Sequence, residues 1–262
     1  MNDFPIGIFD SGVGGTSIWK EIQKLLPQED TIYLADSKNA PYGEKTPERI
    51  LQLSIKNTEF LLEKGCKLVV VACNTATTNA IDYLRANYDV PFIGIEPAIK
   101  PAALQSKSKT VGILATKGTL SSALFNNTSE LHAKGIKIIE REGIGLVPLI
   151  ENGKSDSAET RDLLKHYLEP MLDAGIDCLV LGCTHYPYLM PVLKEMLPDE
   201  VQIIDSGRAV ARQTKAVLEM SDLLNPASNK ADHQFYTNVS PVVLKQFLVD
   251  SKVSYSVEQL QF

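Results

Sequence analysis

Apolar residues recur along the chain in two alternating arrangements. One is a short unbroken run, as in Leu68-Val69-Val70-Val71-Ala72 and Leu179-Val180-Leu181. Runs of this kind bounded by glycine predict strands buried on both faces of a parallel sheet. The other is a helical stripe. Residues 16–26 carry Ile18, Trp19, Ile22, Leu25 and Leu26 ahead of Pro27. Residues 47–64 and 159–174 repeat that periodicity, each just before a strand run. The pattern predicts α/β alternation with mainly parallel sheets.

The alternation occurs twice. Ile6-Gly7-Ile8-Phe9-Asp10-Ser11-Gly12 corresponds to Val111-Gly112-Ile113-Leu114-Ala115-Thr116, an apolar run ending in a small polar residue. Gly65 precedes Cys73 by eight positions, and Gly175 precedes Cys183 by eight, with an apolar run between them in each copy. Two pseudo-symmetric α/β lobes are therefore expected, with a site in the crevice between them. The first would comprise residues 1–95 plus 208–262 and carry Asp10 and Cys73. The second would comprise 96–207 and carry Thr116 and Cys183. The tail from Arg208 should return to the first lobe as a helix, and residues 235–262 should add one strand and one helix. His132, His166 and His233 stand in polar or helical surroundings and read as surface residues.

Composition narrows the class. The chain has 262 residues, 44% of them hydrophobic, and a net charge of -6. No basic block supports nucleic-acid binding. No apolar run reaches the ~18 residues a membrane helix needs, and the N-terminus lacks a signal-peptide pattern. A cytoplasmic protein is expected. The four cysteines are not spaced like a disulfide framework or a zinc site.

Ligands of open parallel sheets bind beyond the carboxyl ends of the strands. Asp10, Cys73, Thr116 and Cys183 all fall at such ends. Cys66 and Cys178 lie beside or inside the apolar runs and read as small core hydrophobes. Cys73 and Cys183 each precede a polar pair, Asn74-Thr75 or Thr184-His185, where a helix should begin. A helix N-terminus is expected to lower a thiol pKa from its reference of about 8.5. Two matching thiols suit a reaction with two matching ends, such as racemisation, in which one group removes an α-proton and the other delivers one to the opposite face. Each sulfur would need to come within roughly 3–3.5 Å of the reacting atoms. The Gly12-Val13-Gly14-Gly15 turn lacks a phosphate-loop ending and is expected to aim its N–H groups at a carboxylate.

These motifs closely resemble the glutamate racemase family. The resemblance rests on Phe9-Asp10-Ser11-Gly12-Val13-Gly14-Gly15, Ala40-Pro41-Tyr42-Gly43, Ala72-Cys73-Asn74-Thr75-Ala76-Thr77 and Leu181-Gly182-Cys183-Thr184-His185-Tyr186-Pro187. It implies that Cys73 acts on D-glutamate and Cys183 on L-glutamate, with no pyridoxal phosphate and no metal. It also implies that Asp10, His185 and Glu151 assist the thiols. Asp10, Ser11, Pro41, Tyr42, Gly43, Asn74, Thr75, Thr116, Thr184 and His185 would hold the substrate. A homodimer and a role in supplying D-glutamate for peptidoglycan are further implications. One departure is Thr16, where the family usually has an apolar residue; it could cap the helix it opens.

The residues leave alternatives open. A racemase for aspartate differs by one methylene, worth only about 1–3 kcal/mol of discrimination. A hydrolase or transferase using Cys183 and His185 would leave Cys73 without a role. A non-catalytic two-lobed binding protein would need neither thiol.

Overall fold

The computed structural model describes residues 3–226 and 230–262. The chain begins β1 (Ile6–Asp10), α1 (Thr16–Leu25), β2 (Thr31–Ala35), α2 (Pro47–Glu63), β3 (Leu68–Val71), α3 (Asn74–Asn87) and β4 (Phe92–Gly94). It continues α4 (Ile99–Gln105), β5 (Thr110–Ala115), α5 (Lys117–Leu120), α6 (Ala123–His132), β6 (Lys137–Glu142), α7 (Leu146–Glu151), α8 (Ala158–Asp173) and β7 (Cys178–Gly182). It ends α9 (Met190–Met196), β8 (Gln202–Ile204), α10 (Gly207–Met220), β9 (His233–Thr237), α11 (Pro241–Leu248) and β10 (Ser256–Gln259).

Two sheets result. One has the order β10-β9-β2-β1-β3-β4, the other β6-β5-β7-β8. Every strand pair described is parallel. The fold is the α/β arrangement that the alternation predicted. β1 is flanked by β2 and β3, and β5 by β6 and β7, so β1–β3 and β5–β7 are corresponding central pairs.

The glycine repeat has a local cause. α2 starts on Thr46, whose hydroxyl accepts from the Arg49 N–H, with Pro47 in the first turn. α8 starts on Ser157, whose hydroxyl accepts from the Thr160 N–H. Gly65 (φ +79°) and Gly175 (φ +75°) then end the two helices in the left-handed conformation. Gly65 N–H donates to the Leu62 carbonyl and Cys66 N–H to Leu61; Gly175 N–H donates to Leu172 and Ile176 N–H to Met171. These paired closures reverse the chain into β3 and β7 with the same offset. That offset brings Cys73 and Cys183 to equivalent sheet edges.

The core spans both sheets. Ile6, Ile8, Tyr33 and Val70 from the first join Leu114, Leu179, Leu181 and Tyr186 from the second in one buried cluster with Val13, Ile18 and Trp19. α10 packs along α1.

Two expectations are corrected. The tail adds two strands, not one: β9 pairs with β2, and β10 pairs with β9 at the sheet edge. His233 is not a surface residue. It is 1% exposed, because β9 sits inside the sheet and turns the ring under α1, edge-on to Trp19. His166 is exposed, and His132 is half-buried.

Candidate active site

The C-terminal edges of β1, β3, β5 and β7 bring together most of the residues singled out from the sequence. Asp10 ends β1 and is fully buried. Its Oδ2 accepts from the Gly15 N–H at 2.8 Å and the Gly12 N–H at 3.3 Å, and its Oδ1 accepts from the Thr184 hydroxyl at 3.3 Å. Asp10 thus joins the β1 loop to the loop after β7. Burial pushes its carboxyl pKa up, although His185 and the Gly15 N–H pull the other way.

Cys73 caps α3 and is buried, with its sulfur 3.7 Å from the Ser11 hydroxyl. Burial and the neighbouring Asp10 carboxylate push its thiol pKa well up. The Ala76 N–H in the first turn of α3 and Ser11 oppose the rise without cancelling it, while Cys183 adds to it. The expected lowering by the helix terminus is therefore overturned at Cys73, because desolvation outweighs one turn of helix dipole.

Cys183 follows β7 and is also buried, with its sulfur 3.8 Å from His185 Nδ1. The other ring nitrogen, Nε2, lies 2.6 Å from Glu151 Oε1 at the end of α7. Burial alone disfavours the imidazolium, but Cys183 and Glu151 together outweigh it and hold His185 well above the usual histidine range. Gly14 N–H also approaches Nε2, at 3.3 Å. The much shorter contact to Glu151 claims the proton on that nitrogen, so Gly14 packs against the ring. A Cβ on Gly14 would lie 2.3 Å from Nδ1, which leaves room for glycine alone.

The glycine turn spends its N–H groups on the protein itself. Gly12 and Gly15 serve Asp10, and Val13 N–H donates to Glu151 Oε1 at 2.7 Å. The carboxylates it was expected to meet are those of its own chain. Thr16 does not cap α1 either: Gly15 holds that position, and the Thr16 hydroxyl donates to the Val13 carbonyl at 2.6 Å.

A second polar cluster bridges α3 and the turn after β5. Thr75 and Thr116 hydroxyls are 2.8 Å apart, and Thr119 lies 3.2 Å from Thr116 and 3.3 Å from Thr75. Gly43 packs onto Thr116, where an added Cβ would lie 2.7 Å from the threonine Cβ. Tyr42 is buried, and its hydroxyl donates to Asp36 Oδ2 at 2.5 Å and accepts from Asn57 at 3.1 Å. Asn74 is 2% exposed, yet both its side-chain nitrogen and oxygen lack a hydrogen-bond partner. A buried amide left wholly unpaired is costly, and a polar ligand would satisfy it.

A cavity of about 350 Å³ adjoins this constellation, lined by Val13, Ser37, Pro41, Glu151 and residues from the start of α11. It reaches Glu151, and neither thiol is among its lining residues. Cys66 and Cys178 are buried in the two cores, and burial pushes their thiols to about 12 and about 11. Both remain packing residues.

The profile of the Asp/Glu/Hydantoin racemase family matches residues 6–214. A glutamate racemase from Pseudomonas putida is 47% identical over 261 residues, covering 98% of this chain and 97% of its own. This chain belongs to the glutamate racemases of that family. It is an isomerase by that membership. The fold agrees: a glutamate racemase from Bacillus anthracis superposes with a TM-score of 0.89 at 30% identity, covering 100% of this chain and 99% of its own. The Escherichia coli glutamate racemase, solved with L-glutamate and the activator UDP-MurNAc-ala, gives 0.86 at 34% identity, with 98% of each chain covered.

Set beside the motifs that mark this glutamate racemase sequence, several contacts were not evident from the chain alone. Thr119 completes the hydroxyl cluster; its spacing of three from Thr116 on a short helix is the signal that could have found it. Ser37 donates to Glu151 Oε2 at 3.3 Å, and Tyr188 reaches Thr16. No local pattern announces either contact.

Proposed function

We propose that the chain interconverts L- and D-glutamate by two-base proton transfer without pyridoxal phosphate or metal, Cys183 working on the L face and Cys73 on the D face. In the L-to-D direction, Cys183 as thiolate takes the α-proton and becomes a thiol. Cys73 as thiol delivers its proton to the opposite face and becomes the thiolate. The next D-to-L turnover restores the starting pair, so protons and charge balance.

The observation that carries this reading is the burial of two thiols at equivalent strand ends, with the unpartnered Asn74 amide beside one of them. The high pKa of Cys73 suits the proton-donor state. A protonated His185 puts positive charge 3.8 Å from the Cys183 sulfur, where negative charge must reside in half of the cycle. Glu151 and Asp10 hold His185 and the loop after β7. Ser11, Asn74, Thr75, Thr116 and Thr184 supply hydroxyl and amide groups for the substrate carboxylates and ammonium. Pro41, Tyr42 and Gly43 form the adjoining wall, Tyr42 through its ring and backbone because its hydroxyl is engaged by Asp36. The carbanionic charge would be met in a dry, preorganised site, where such stabilisation is strongest.

In this reading the substrate binds between a lobe of residues 1–95 and 208–262 and a lobe of 96–207. The product serves peptidoglycan synthesis in the cytoplasm, and the enzyme works as a homodimer. Among the described residues, no helix is long and apolar enough to cross a membrane. The test is incubation of pure protein with L-glutamate, D-glutamate or aspartate in heavy water, with no added cofactor, while α-hydrogen exchange and optical rotation are followed. Exchange with both glutamate enantiomers supports the proposal. Exchange with aspartate alone, or with neither, overturns it.

A further inference from the structure

Thr16 and Tyr188 meet across the two halves of the molecule. Thr16 opens α1 and is fully buried; Tyr188 lies three residues beyond His185 in the short 3-10 turn Tyr186–Leu189. Their hydroxyl oxygens are 2.5 Å apart. The Thr16 proton is already committed to the Val13 carbonyl, 2.6 Å away, so Tyr188 is the donor. The hydrogen bonds run in one direction, from Tyr188 to Thr16 to Val13. Val13 then donates its N–H to Glu151 at 2.7 Å, and Glu151 holds His185 at 2.6 Å. Beside it, the Ser17 hydroxyl donates to the Thr184 carbonyl at 2.9 Å. Tyr188 is fixed from its other side by Phe247 of α11, ring centroids 4.5 Å apart, and Lys20 lies over its ring.

Apart from the Thr16 bond to the Val13 carbonyl, which ties α1 to the glycine turn, these contacts end on the loop after β7 or on the carboxylate that orients its histidine. None touches Cys73. We infer that Thr16 and Tyr188 are positioning residues that latch the Cys183 side of the site to α1 and so control proton transfer at Cys183 selectively. This rests on the two-thiol reading above.

The two enantiomers have equal free energy, so kcat/KM must be equal in both directions for any variant. Selectivity must be read from isotope effects. With α-deuterated L-glutamate, Cys183 removes the label; with α-deuterated D-glutamate, Cys73 does. If the Cys183 step slows, it becomes more rate-limiting. The isotope effect then rises with labelled L-glutamate and falls with labelled D-glutamate.

The experiment measures both isotope effects for the wild type, Thr16→Val, Thr16→Ser and Tyr188→Phe, with Cys183→Ala as the control on the underlying reading. Thr16→Val and Tyr188→Phe are expected to lower kcat about 10-fold, the size of one well-placed hydrogen bond, with little change in KM. Both should show the opposed isotope shifts, and Thr16→Ser, which keeps the hydroxyl, should restore wild-type values. Tyr188→Phe removes the same bond from the other partner, so the latch stays testable if Thr16→Val does not fold. Unchanged isotope effects, or effects that move together for both enantiomers, overturn the latch. Racemisation at the wild-type rate in Cys183→Ala overturns the two-thiol reading instead.

Discussion

Glu151 Oε1 and His185 Nε2 are 2.6 Å apart, joining the end of α7 to the loop that carries Cys183. Cys183 and Glu151 together hold the buried imidazole's pKa up against the cost of desolvation. Glu151→Gln removes the charge but keeps the shape. The His185 pKa should fall, and the alkaline limb of the kcat profile should move to lower pH. At neutral pH kcat should drop about 10²-fold, the lower end of what general acid–base assistance contributes. Stability carries the same signature. A histidine whose folded pKa is raised stabilises the fold below its unfolded value of about 6.5 and loses that contribution as pH rises through the folded value. Melting curves from pH 6 to 9 should therefore be flatter for Glu151→Gln than for the wild type.

Asn74 offers a separation of stability from binding. Its amide is buried and unpaired. Asn74→Ala should cost less than about 1 kcal/mol of unfolding free energy, because removing an unsatisfied polar group offsets the small cavity. The KM for both enantiomers should rise about 10-fold or more, since the bound state loses a paired amide. Thermal denaturation together with initial rates checks both halves.

His233 should act in the opposite pH direction to His185. Trp19 Nε1–H donates to the Thr31 hydroxyl at 2.9 Å, and that hydroxyl shares a hydrogen bond of 2.9 Å with His233 Nδ1. Burial lowers the His233 pKa, and Asp30 and Asp232 oppose the shift without reversing it. A depressed histidine pKa means the unfolded chain binds the extra proton, so stability falls as pH drops below about 6.5, by at most about 1.4 kcal/mol per pH unit. Trp19 is the sole tryptophan, so its emission follows the transition. His233→Gln should remove this part of the acid sensitivity between pH 7.5 and 5.

Lys67 and Glu29 form a buried ion pair at 2.6 Å, and Glu29 also accepts from the Asn225 N–H at 2.7 Å. Lys67→Met leaves the carboxylate buried without its cation. A loss of about 3–5 kcal/mol is expected, read by urea denaturation, with Glu29→Gln in the same chain recovering part of it.

The repeated strand, glycine and cysteine were readable because they obey short-range rules. Gly65 and Gly175 end helices of similar design, and the offset to Cys73 and Cys183 follows from that. β10 was not readable: Ser256–Gln259 is a polar edge strand with three of its four residues exposed, so it has no hydrophobic signature. The burial of His233 depends on β9 pairing with β2, about two hundred residues earlier in the chain. The consumption of the glycine-turn N–H groups by Asp10 and Glu151, and the Thr16–Tyr188 bond, arise only when the two sheets pack together. The Cys73 pKa failed for a related reason: spacing reveals a helix terminus, whereas the desolvation that outweighs it comes from the assembled site.

In the proposed reaction one sulfur serves each face of the α-carbon. The most direct test is racemisation by Cys73→Ala and Cys183→Ala, each followed by polarimetry from either enantiomer, with circular dichroism confirming the fold. Each variant should lose about 10³-fold or more in kcat in both directions. Racemisation at the wild-type rate in either folded variant would contradict that reaction.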